Sequence, residues 1–184
     1  MEFALLALFA FIAWIFWPFL IGTGWLPSPM KAVRRMLGMA EVGPGDTLYD
    51  LGSGDGRFLI AAARELGARA VGIEADPLRV ALSRLRIRAA GLQGMASVRW
   101  GNFFRVDLGE ASVVTIYQSQ GTNNDLRAKL ERELRPGARV VSYMFTFDGW
   151  EPAEADEDSN VYLYVIGRSR GRGGAPGTIQ PSLK

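Results

Sequence analysis

The chain has 184 residues and a net charge of +2, from 21 basic and 19 acidic side chains, and it contains neither cysteine nor histidine. This length accommodates one domain of ordinary size with a short additional segment. The missing cysteine and histidine exclude disulfides, thiolate nucleophiles, zinc fingers, zincin-type metalloproteases and Ser-His-Asp hydrolases. The nearly balanced charge gives no indication of a nucleic-acid-binding protein.

The first 26 residues are predicted to form a membrane anchor. The segment Phe3–Leu26 contains no charged side chain, and as a helix it would be about 36 Å long, enough to cross a hydrocarbon core of about 30 Å. Pro18 interrupts it, which a transmembrane helix tolerates where neighbouring groups satisfy the freed carbonyl. The cations that follow favour a cytoplasmic position for the rest of the chain, namely Lys31, Arg34 and Arg35. Insertion at the membrane interface and packing on the domain or on a sister chain are the alternatives.

After the anchor, short apolar runs alternate with stretches of helical periodicity. Residues 30–40 are predicted to form an amphipathic helix. The predicted strands are Leu48–Leu51, Ala70–Glu74, Val98–Trp100, Val113–Tyr117 and Arg139–Tyr143. The predicted helices between them are Phe58–Leu66, Leu78–Ala90 and Asn124–Leu134. Such alternation is typical of an α/β fold in which helices cover both faces of a parallel sheet.

The carboxyl-terminal part departs from this alternation. Met144–Phe147 and Val161–Ile166 are predicted strands with no helix between them, and the acidic loop Glu151–Asp158 separates them. They indicate an antiparallel hairpin at the edge of the sheet. The segment after Gly167 is rich in glycine, arginine, proline and serine, which is typical of disorder. The predicted division of the chain is an anchor at 1–26, a domain at 27–167 and a disordered tail at 168–184.

The first predicted strand ends in a glycine-rich turn, DLGSGDG at residues 50–56. Glycines between a strand and a helix permit a tight turn and let a ligand contact bare backbone. The carboxylates of Asp50 and Asp55 would repel the pyrophosphate of a dinucleotide, and Arg57 replaces the last glycine of a G-x-G-x-x-G pattern. A cationic ligand such as S-adenosylmethionine (SAM) fits these acids better. The residues expected to bind it here are Asp50, Gly52, Ser53, Gly54 and Gly56.

Two further clusters follow the second and third predicted strands. Glu74 ends the second strand, 24 residues after Asp50, where an acid can accept hydrogen bonds from both ribose hydroxyls. Beyond the third strand, the amide of Asn102 could contact the adenine edge and the ring of Phe103 could cover it. Because all these residues follow carboxyl ends of parallel strands, we expect them at one edge of the sheet. Capping by Asp50, a surface position for Glu74 and a core position for Phe103 are the structural alternatives.

These clusters resemble the first three motifs of the class I SAM-dependent methyltransferases, with LYDLGSGDG at Leu48–Gly56, VGIE at Val71–Glu74 and GNFF at Gly101–Phe104. The resemblance implies a Rossmann-like, seven-stranded, mostly parallel sheet with one antiparallel strand. It also implies SAM as the cofactor and no metal. Asn102 stands where many members of the family carry aspartate.

More narrowly, the chain is similar to the archaeal protein-lysine methyltransferases and their membrane-anchored mitochondrial relatives. The similarity lies in DLGSGDGR, in Gly149–Pro152 and in Leu26–Pro29, which precedes the first helix. A Pro-Thr-Pro sequence often occupies that last position in the group, and Ser28 keeps its hydroxyl. This implies that Ser28 belongs to the cofactor site, and that a protein lysine in or near a membrane is the acceptor.

The residues after the fourth predicted strand concern the acceptor. The sequence Tyr117–Gln120 differs from the Asn/Asp-Pro-Pro-Tyr of methyltransferases that act on nucleobases and glutamine, which argues against those acceptors. A lysine amine with a pKa near 10.4 is only about 0.04% neutral at pH 7, and an aromatic slot beside a cation would lower that pKa. Tyr117 is the candidate catalytic residue, as a hydrogen-bond acceptor for the amine. Tyr143 and Trp150 are interpreted as slot residues or as packing residues.

Other functions stay open on the sequence alone. With the same cofactor, the acceptor is a lipid headgroup or a lipophilic small molecule. A dinucleotide-dependent oxidoreductase is disfavoured by Asp55 and Arg57, and a non-catalytic SAM-fold membrane module is a third possibility. The arginines of Leu78–Ala90 indicate either a solvated helix face or contact with anionic lipid; they are Arg79, Arg84, Arg86 and Arg88. No nucleic acid is expected as a partner.

Overall fold

The computed structural model describes Leu5 and residues 27–169. The rest of the predicted anchor and residues 170–184 of the predicted tail lie outside the described residues, so both stay predictions. Within the described residues, no helix combines the length and the apolar character needed to cross a bilayer. Ser169, assigned above to the tail, is buried, and its carbonyl accepts a hydrogen bond from the Glu151 amide at 3.0 Å.

Residues 27–169 form four helices and seven strands. The helices are α1 (Met30–Met39), α2 (Arg57–Leu66), α3 (Pro77–Ala89) and α4 (Gln120–Glu133). The strands are β1 (Thr47–Leu51), β2 (Arg69–Glu74), β3 (Ala96–Trp100), β4 (Val113–Ile116), β5 (Arg139–Tyr143), β6 (Glu154–Asp156) and β7 (Val161–Val165). The strands form one sheet in the order β3-β2-β1-β4-β5-β7-β6.

Strand direction follows the class predicted from the sequence. The pairs from β3 through β2, β1 and β4 to β5 are parallel, whereas β7 is antiparallel to both β5 and β6. The mostly parallel, Rossmann-like sheet of seven strands with one antiparallel strand is therefore confirmed.

Both faces of the sheet are covered. Helices α1, α2 and α3 share one apolar cluster, in which Leu48 of β1 lies. Helix α4 contributes Leu126 and Leu130 to a second cluster with Tyr49 and Leu51 of the same strand. This alternation along β1 is the period-two pattern of a strand buried on both faces. It leaves the carboxyl-terminal edge of the parallel strands available for a ligand.

The outer part of the sheet corrects the predicted hairpin. Met144–Phe147 is a loop and not a strand, and the sixth strand, β6, lies inside the segment predicted to be an acidic loop. Met144 has a φ of 69°, which a strand does not permit. The carbonyls of Phe145 and Thr146 accept hydrogen bonds from the Asn123 side chain at 3.1 and 3.3 Å. These bonds replace the ladder that a strand would need.

Two of the cations after the predicted anchor form ion pairs within the domain. Arg34 Nε lies 3.0 Å from Glu65 Oε2, and Arg35 Nε lies 2.5 Å from Asp156 Oδ2 of the edge strand β6. A hydrogen bond from Ser159 and the charge of Arg35 lower the pKa of Asp156 to about 2. The acids of β6 also make this edge unfavourable for pairing with another strand.

Candidate functional site

A cavity of about 430 Å³ opens at the carboxyl-terminal edge of the parallel strands. Its volume lies within the range of about 300–1,000 Å³ that is usual for small-molecule sites, and its place is the one where open α/β sheets bind ligands. Of the predicted site residues, the cavity is lined by Ser28, Asp50, Gly52, Ser53, Gly54, Glu74, Phe103 and Tyr117. A smaller cavity of about 250 Å³, near the start of β5, contains none of them.

Two predicted cofactor-binding residues do not line this cavity. Gly56 precedes α2 with a φ of 80°, and a Cβ there would overlap the hydroxyl of Ser83, so this glycine lets the turn pack closely on α3. Asn102 is exposed, and its Oδ1 accepts a hydrogen bond from the Phe104 amide at 2.9 Å. The structure therefore gives each of them a local structural role, and their contact with a cofactor stays a prediction.

The glycine-rich turn is held by a residue from the next strand of the sheet. Gln118 follows β4, and its Nε2 donates a hydrogen bond to the Leu51 carbonyl at 3.1 Å. Gly52 has a φ of 91°, and a Cβ on it would overlap the same amide nitrogen. A side chain at position 52 is therefore excluded both by backbone conformation and by contact.

Asp50 is a buried carboxylate in this cavity. Thr115 Oγ1 of β4 donates a hydrogen bond to Asp50 Oδ1 at 2.9 Å. Burial raises the pKa of Asp50 to about 7; the bond from Thr115 opposes this effect, and the charges of Glu74 and Asp55 add to it. Thr115 was not predicted from the sequence, although one hydroxyl in the otherwise apolar run VVTI was a signal.

Glu74 connects the turns after β1 and β2. Its Oε2 accepts a hydrogen bond from the Gly54 amide at 2.8 Å, and its Oε1 accepts one from the Asp76 amide at 2.9 Å. Only 6% of the residue is exposed, within the cavity. Each carboxylate oxygen has a second lone pair, so Glu74 can position both turns and still accept hydrogen bonds from a ligand.

Asp55 differs from the role suggested above, because its charge is compensated. Arg57 Nε and Nη2 lie 2.9 and 2.8 Å from its carboxylate oxygens, and Arg86 pairs with the same group. Burial raises the pKa of Asp55, but the two arginines outweigh burial and lower that pKa below its ordinary value. Repulsion of a pyrophosphate by Asp55 was therefore wrongly predicted, and the acid character of the cavity comes from Asp50 and Glu74.

Arg57 also positions the segment before α1. Its Nη1 donates a hydrogen bond to the Ser28 carbonyl at 2.6 Å, which holds Pro27 and Ser28 against the glycine-rich turn. Both residues line the cavity. An arginine directly after the DLGSGDG turn thus explains how a segment 29 positions earlier in the chain forms one wall of the site.

Tyr117, the predicted catalytic residue, lies in the same cavity. Its ring packs edge-on against that of Tyr143, with centroids 4.8 Å apart. Burial raises the pKa of Tyr117, and the neighbouring Tyr143 adds to this effect, so the phenol is protonated at neutral pH. Trp150 does not line the cavity: it is buried against Phe147, and its Nε1 donates to Glu131 at 2.8 Å, so it is a packing residue.

The loop after β5 completes the wall near Tyr117. Met144 and Phe145 line the cavity, and the buried side chain of Asn123 holds this loop through the Phe145 carbonyl at 3.1 Å and through Ser142 Oγ at 3.0 Å. Further along the loop, Asp148 accepts hydrogen bonds from the side chains of Gln120 and Asn124, at 2.9 and 2.6 Å. Asn123 was not predicted from the sequence, because nothing local relates a helix amide to a loop 22 residues away.

Comparison with known proteins gives a consistent family. Residues 50–154 match the model of the ANTKMT methyltransferase domain. A protein-lysine N-methyltransferase of Saccharolobus islandicus (strain REY15A) is 46% identical over 153 residues, which cover 79% of this chain and 95% of that protein. An ATP synthase lysine N-methyltransferase of Mus musculus is 38% identical, covering 82% of this chain and 61% of the mouse protein.

A solved structure has the same fold over nearly its whole length. It is described as an RNA methyltransferase from Salinibacter ruber in complex with S-adenosyl-L-homocysteine. It superposes with a TM-score of 0.77 at 42% sequence identity, and the match covers 80% of this chain and 98% of that chain.

Proposed function

We propose that this chain, which belongs to the ANTKMT methyltransferase domain family and is a SAM-dependent methyltransferase, methylates a protein lysine at a membrane. The observation that carries this proposal is a cavity lined by two buried carboxylates, Asp50 and Glu74, and by the phenol of Tyr117. The archaeal relative of nearly equal length is a protein-lysine methyltransferase. The mouse relative is longer, and this chain spans 61% of it, so its particular acceptor is not transferred here.

The residues of the cavity fit SAM. Glu74 offers two carboxylate oxygens for the ribose hydroxyls, and Asp50 offers a charge that complements an ammonium or sulfonium group. The bare backbone from Gly52 to Gly54 permits close approach of a ligand. When bound, SAM supplies an activated methyl group on a sulfonium, and a methyl transfer of this kind mainly requires correct positioning of the two partners.

Tyr117 is suited to positioning an amine. Because its phenol stays protonated, its oxygen can accept a hydrogen bond from a neutral lysine amine and leave the nitrogen lone pair free for the methyl group. A lysine held in this half-buried aromatic wall also loses solvation, which lowers its pKa and raises the neutral fraction. No histidine is needed for either effect, consistent with a chain that contains none.

The membrane part of the proposal rests on residues 3–26, which lie almost entirely outside the described structure. Their uncharged sequence supports a single-pass anchor, with the domain on the cytoplasmic side. Pro27 follows this segment directly and lines the cavity. An anchor ending there would keep the cavity close to the bilayer surface, where the acceptor lysine would be presented.

A labelling experiment identifies the acceptor class. Membranes that contain the full chain are incubated with methyl-labelled SAM, and protein, lipid and RNA are then separated. We expect the label in protein and its recovery as methyllysine after hydrolysis. Label confined to lipid or to RNA would refute the lysine acceptor, and RNA is included because the Salinibacter ruber structure carries that description.

A matched variant shows that the label depends on the cavity. Asp50→Asn keeps the shape of the side chain and removes its charge, so we expect much weaker labelling at neutral pH. Asp107→Asn is the control, because Asp107 is exposed and its carboxylate accepts a bond from the nearby Gly109 amide, away from the cavity. Equal labelling by wild type and Asp50→Asn would contradict the assignment of this cavity.

A further inference from the structure

Helix α3 carries apolar side chains on two opposite sides. Val80 and Ile87 face inward and pack in the core with the edge strand β3. Leu78, Leu82 and Leu85 face outward and are 54%, 44% and 64% exposed. At 3.6 residues per turn these three leucines form one stripe on the surface. Contiguous exposed apolar stripes of this kind mark interaction surfaces.

Arginines border the leucine stripe on both sides. By helical geometry, Arg84 and Arg88 lie on one flank, and Arg79 and Arg86 on the other, each roughly 80–120° from the centre of the stripe. The second flank is neutralised in part, since Arg86 pairs with Asp55. Arg84 Nη2 donates to the uncharged carbonyl of Val98, at 3.4 Å, and Arg88 is exposed. Residues 77–90 contain no acid, so this surface is cationic.

The stripe continues toward the mouth of the cavity through Trp100. This side chain is 68% exposed at the end of β3, and its Nε1 donates a hydrogen bond to the Ala75 carbonyl at 2.9 Å. Alternation along β3 places it on the same face of the sheet as Ala96 and Val98, which pack with α3. Ala75 itself lines the cavity. The exposed indole therefore lies between the leucine stripe and the site.

We infer that the leucine stripe of α3, with Trp100 and the arginines Arg84 and Arg88, rests on an anionic lipid surface. Leucines with an aromatic side chain and flanking cations form the pattern that inserts at the boundary between headgroups and acyl chains. The arginines complement anionic headgroups. That this contact presents a membrane lysine to the cavity rests on the proposed function, whereas the contact itself does not.

Two other occupants fit the surface less well. A second copy of the chain would bring the charges of Arg84 and Arg88 close to the same arginines across a two-fold axis. RNA would be attracted by the arginines, but three leucines provide no stacking surface or hydrogen bonds for bases. A lipid boundary satisfies the apolar stripe and its cationic border together.

The absence of cysteine from the chain permits a direct test. A single cysteine is introduced by Leu82→Cys, labelled with an environment-sensitive fluorophore, and the full chain is reconstituted in phosphatidylcholine–phosphatidylglycerol vesicles that contain a spin-labelled quenching lipid. The matched control is Ala128→Cys, in α4 on the opposite face of the sheet. Because the full chain is used, any effect of the amino-terminal segment acts on both probes.

We expect the probe at Leu82 to be quenched at least about threefold more than the probe at Ala128. The difference should shrink in vesicles of phosphatidylcholine alone and in the background Arg84→Gln with Arg88→Gln. Equal quenching at the two positions would overturn the inference. So would burial of the Leu82 probe on adding RNA, or with rising protein concentration in detergent, since either would assign another occupant.

The outcomes also separate this inference from the proposed function. Equal quenching together with labelled methyllysine would refute the lipid contact and leave the lysine acceptor. Selective quenching at Leu82 together with label in RNA alone would refute the acceptor and leave the lipid contact. In detergent, Leu82→Ser should methylate a soluble lysine peptide as wild type does, because Leu82 does not line the cavity.

Discussion

Thr115 and Asp50 lie opposite each other on β4 and β1, and the threonine hydroxyl donates a hydrogen bond to the buried carboxylate at 2.9 Å. Burial nevertheless raises the pKa of Asp50 to about 7. The charge that we assign to cofactor binding is therefore only partly present at neutral pH, and it depends on this bond.

Cofactor affinity should rise with pH through the range around 7. Deprotonation gives Asp50 the negative charge that complements a cationic ligand, so we expect tighter SAM binding at pH 8 than at pH 6, measured by calorimetry. Thr115→Val removes the bond that lowers the pKa and should move the transition to higher pH. Asp50→Asn should bind weakly and lose the transition. A pH profile shared by wild type and Asp50→Asn would assign the transition to another group.

The stability of the protein should show the opposite trend with pH. The pKa of Asp50 is raised from 3.8 to about 7 on folding, so the folded state holds a proton that the unfolded state releases between these values. The corresponding stabilisation is complete below pH 4 and is lost as the pH rises through 7, by about 4 kcal/mol in total. Denaturant unfolding of Asp50→Asn should therefore gain on wild type as the pH rises. A constant difference between the two proteins would contradict the raised pKa.

Glu74→Gln should weaken both the fold and the site. The two carboxylate oxygens accept from the Gly54 and Asp76 amides, and glutamine would turn its amide group toward one of these donors. A buried donor without a partner costs about 1–3 kcal/mol. We expect a loss of this size in unfolding free energy and weaker SAM binding by calorimetry. Glu65→Gln, which breaks an exposed pair with Arg34, should cost no more than about 1 kcal/mol. A folded Glu74→Gln protein with unchanged affinity would exclude the ribose contact.

A pair of glycine substitutions separates the turn from ordinary helix positions. Gly52→Ala places a side chain at a φ of 91° and against Gln118, so it should lose at least about 1–2 kcal/mol of stability and most of its cofactor affinity. Gly121→Ala in α4 meets no atom within 4 Å and should be neutral or stabilising by up to about 1 kcal/mol. Thermal unfolding and calorimetry test both variants. If Gly52→Ala behaved like Gly121→Ala, the close contact with Gln118 would not be required.

Tyr117→Phe should reduce methyl transfer without affecting cofactor binding. Removal of one hydrogen bond to the amine, of about 1.4 kcal/mol, corresponds to a tenfold loss in rate. Tyr143→Phe is the matched control, because its ring packs on Tyr117 but does not line the cavity. Single-turnover kinetics with a lysine peptide compare the two. Equal losses in both variants would indicate that Tyr117 acts only through packing.

The inner half of the fold was predictable because its signals are local. The apolar runs of β1, β2 and β4 and the glycines after Leu51 determine strands and turns within a few residues, and parallel strands then bring Asp50, Glu74 and Tyr117 to one edge. Eight of the ten predicted site residues line one cavity for this reason. The outer sheet was not predictable in the same way. Met144–Phe147 has the composition of a strand, but Asn123 of a preceding helix binds its carbonyls.

The sequence by itself determined the order of strands and helices, the glycine-rich turn and the acids near it, because apolar periodicity and backbone freedom act between neighbouring residues. Only the tertiary structure decided which of those acids is charged. Asp55 is neutralised by Arg86, 31 positions away, and Asp50 is buried beside Thr115, 65 positions away. A pKa depends on desolvation and on charges in space, and neither can be calculated until the chain has folded.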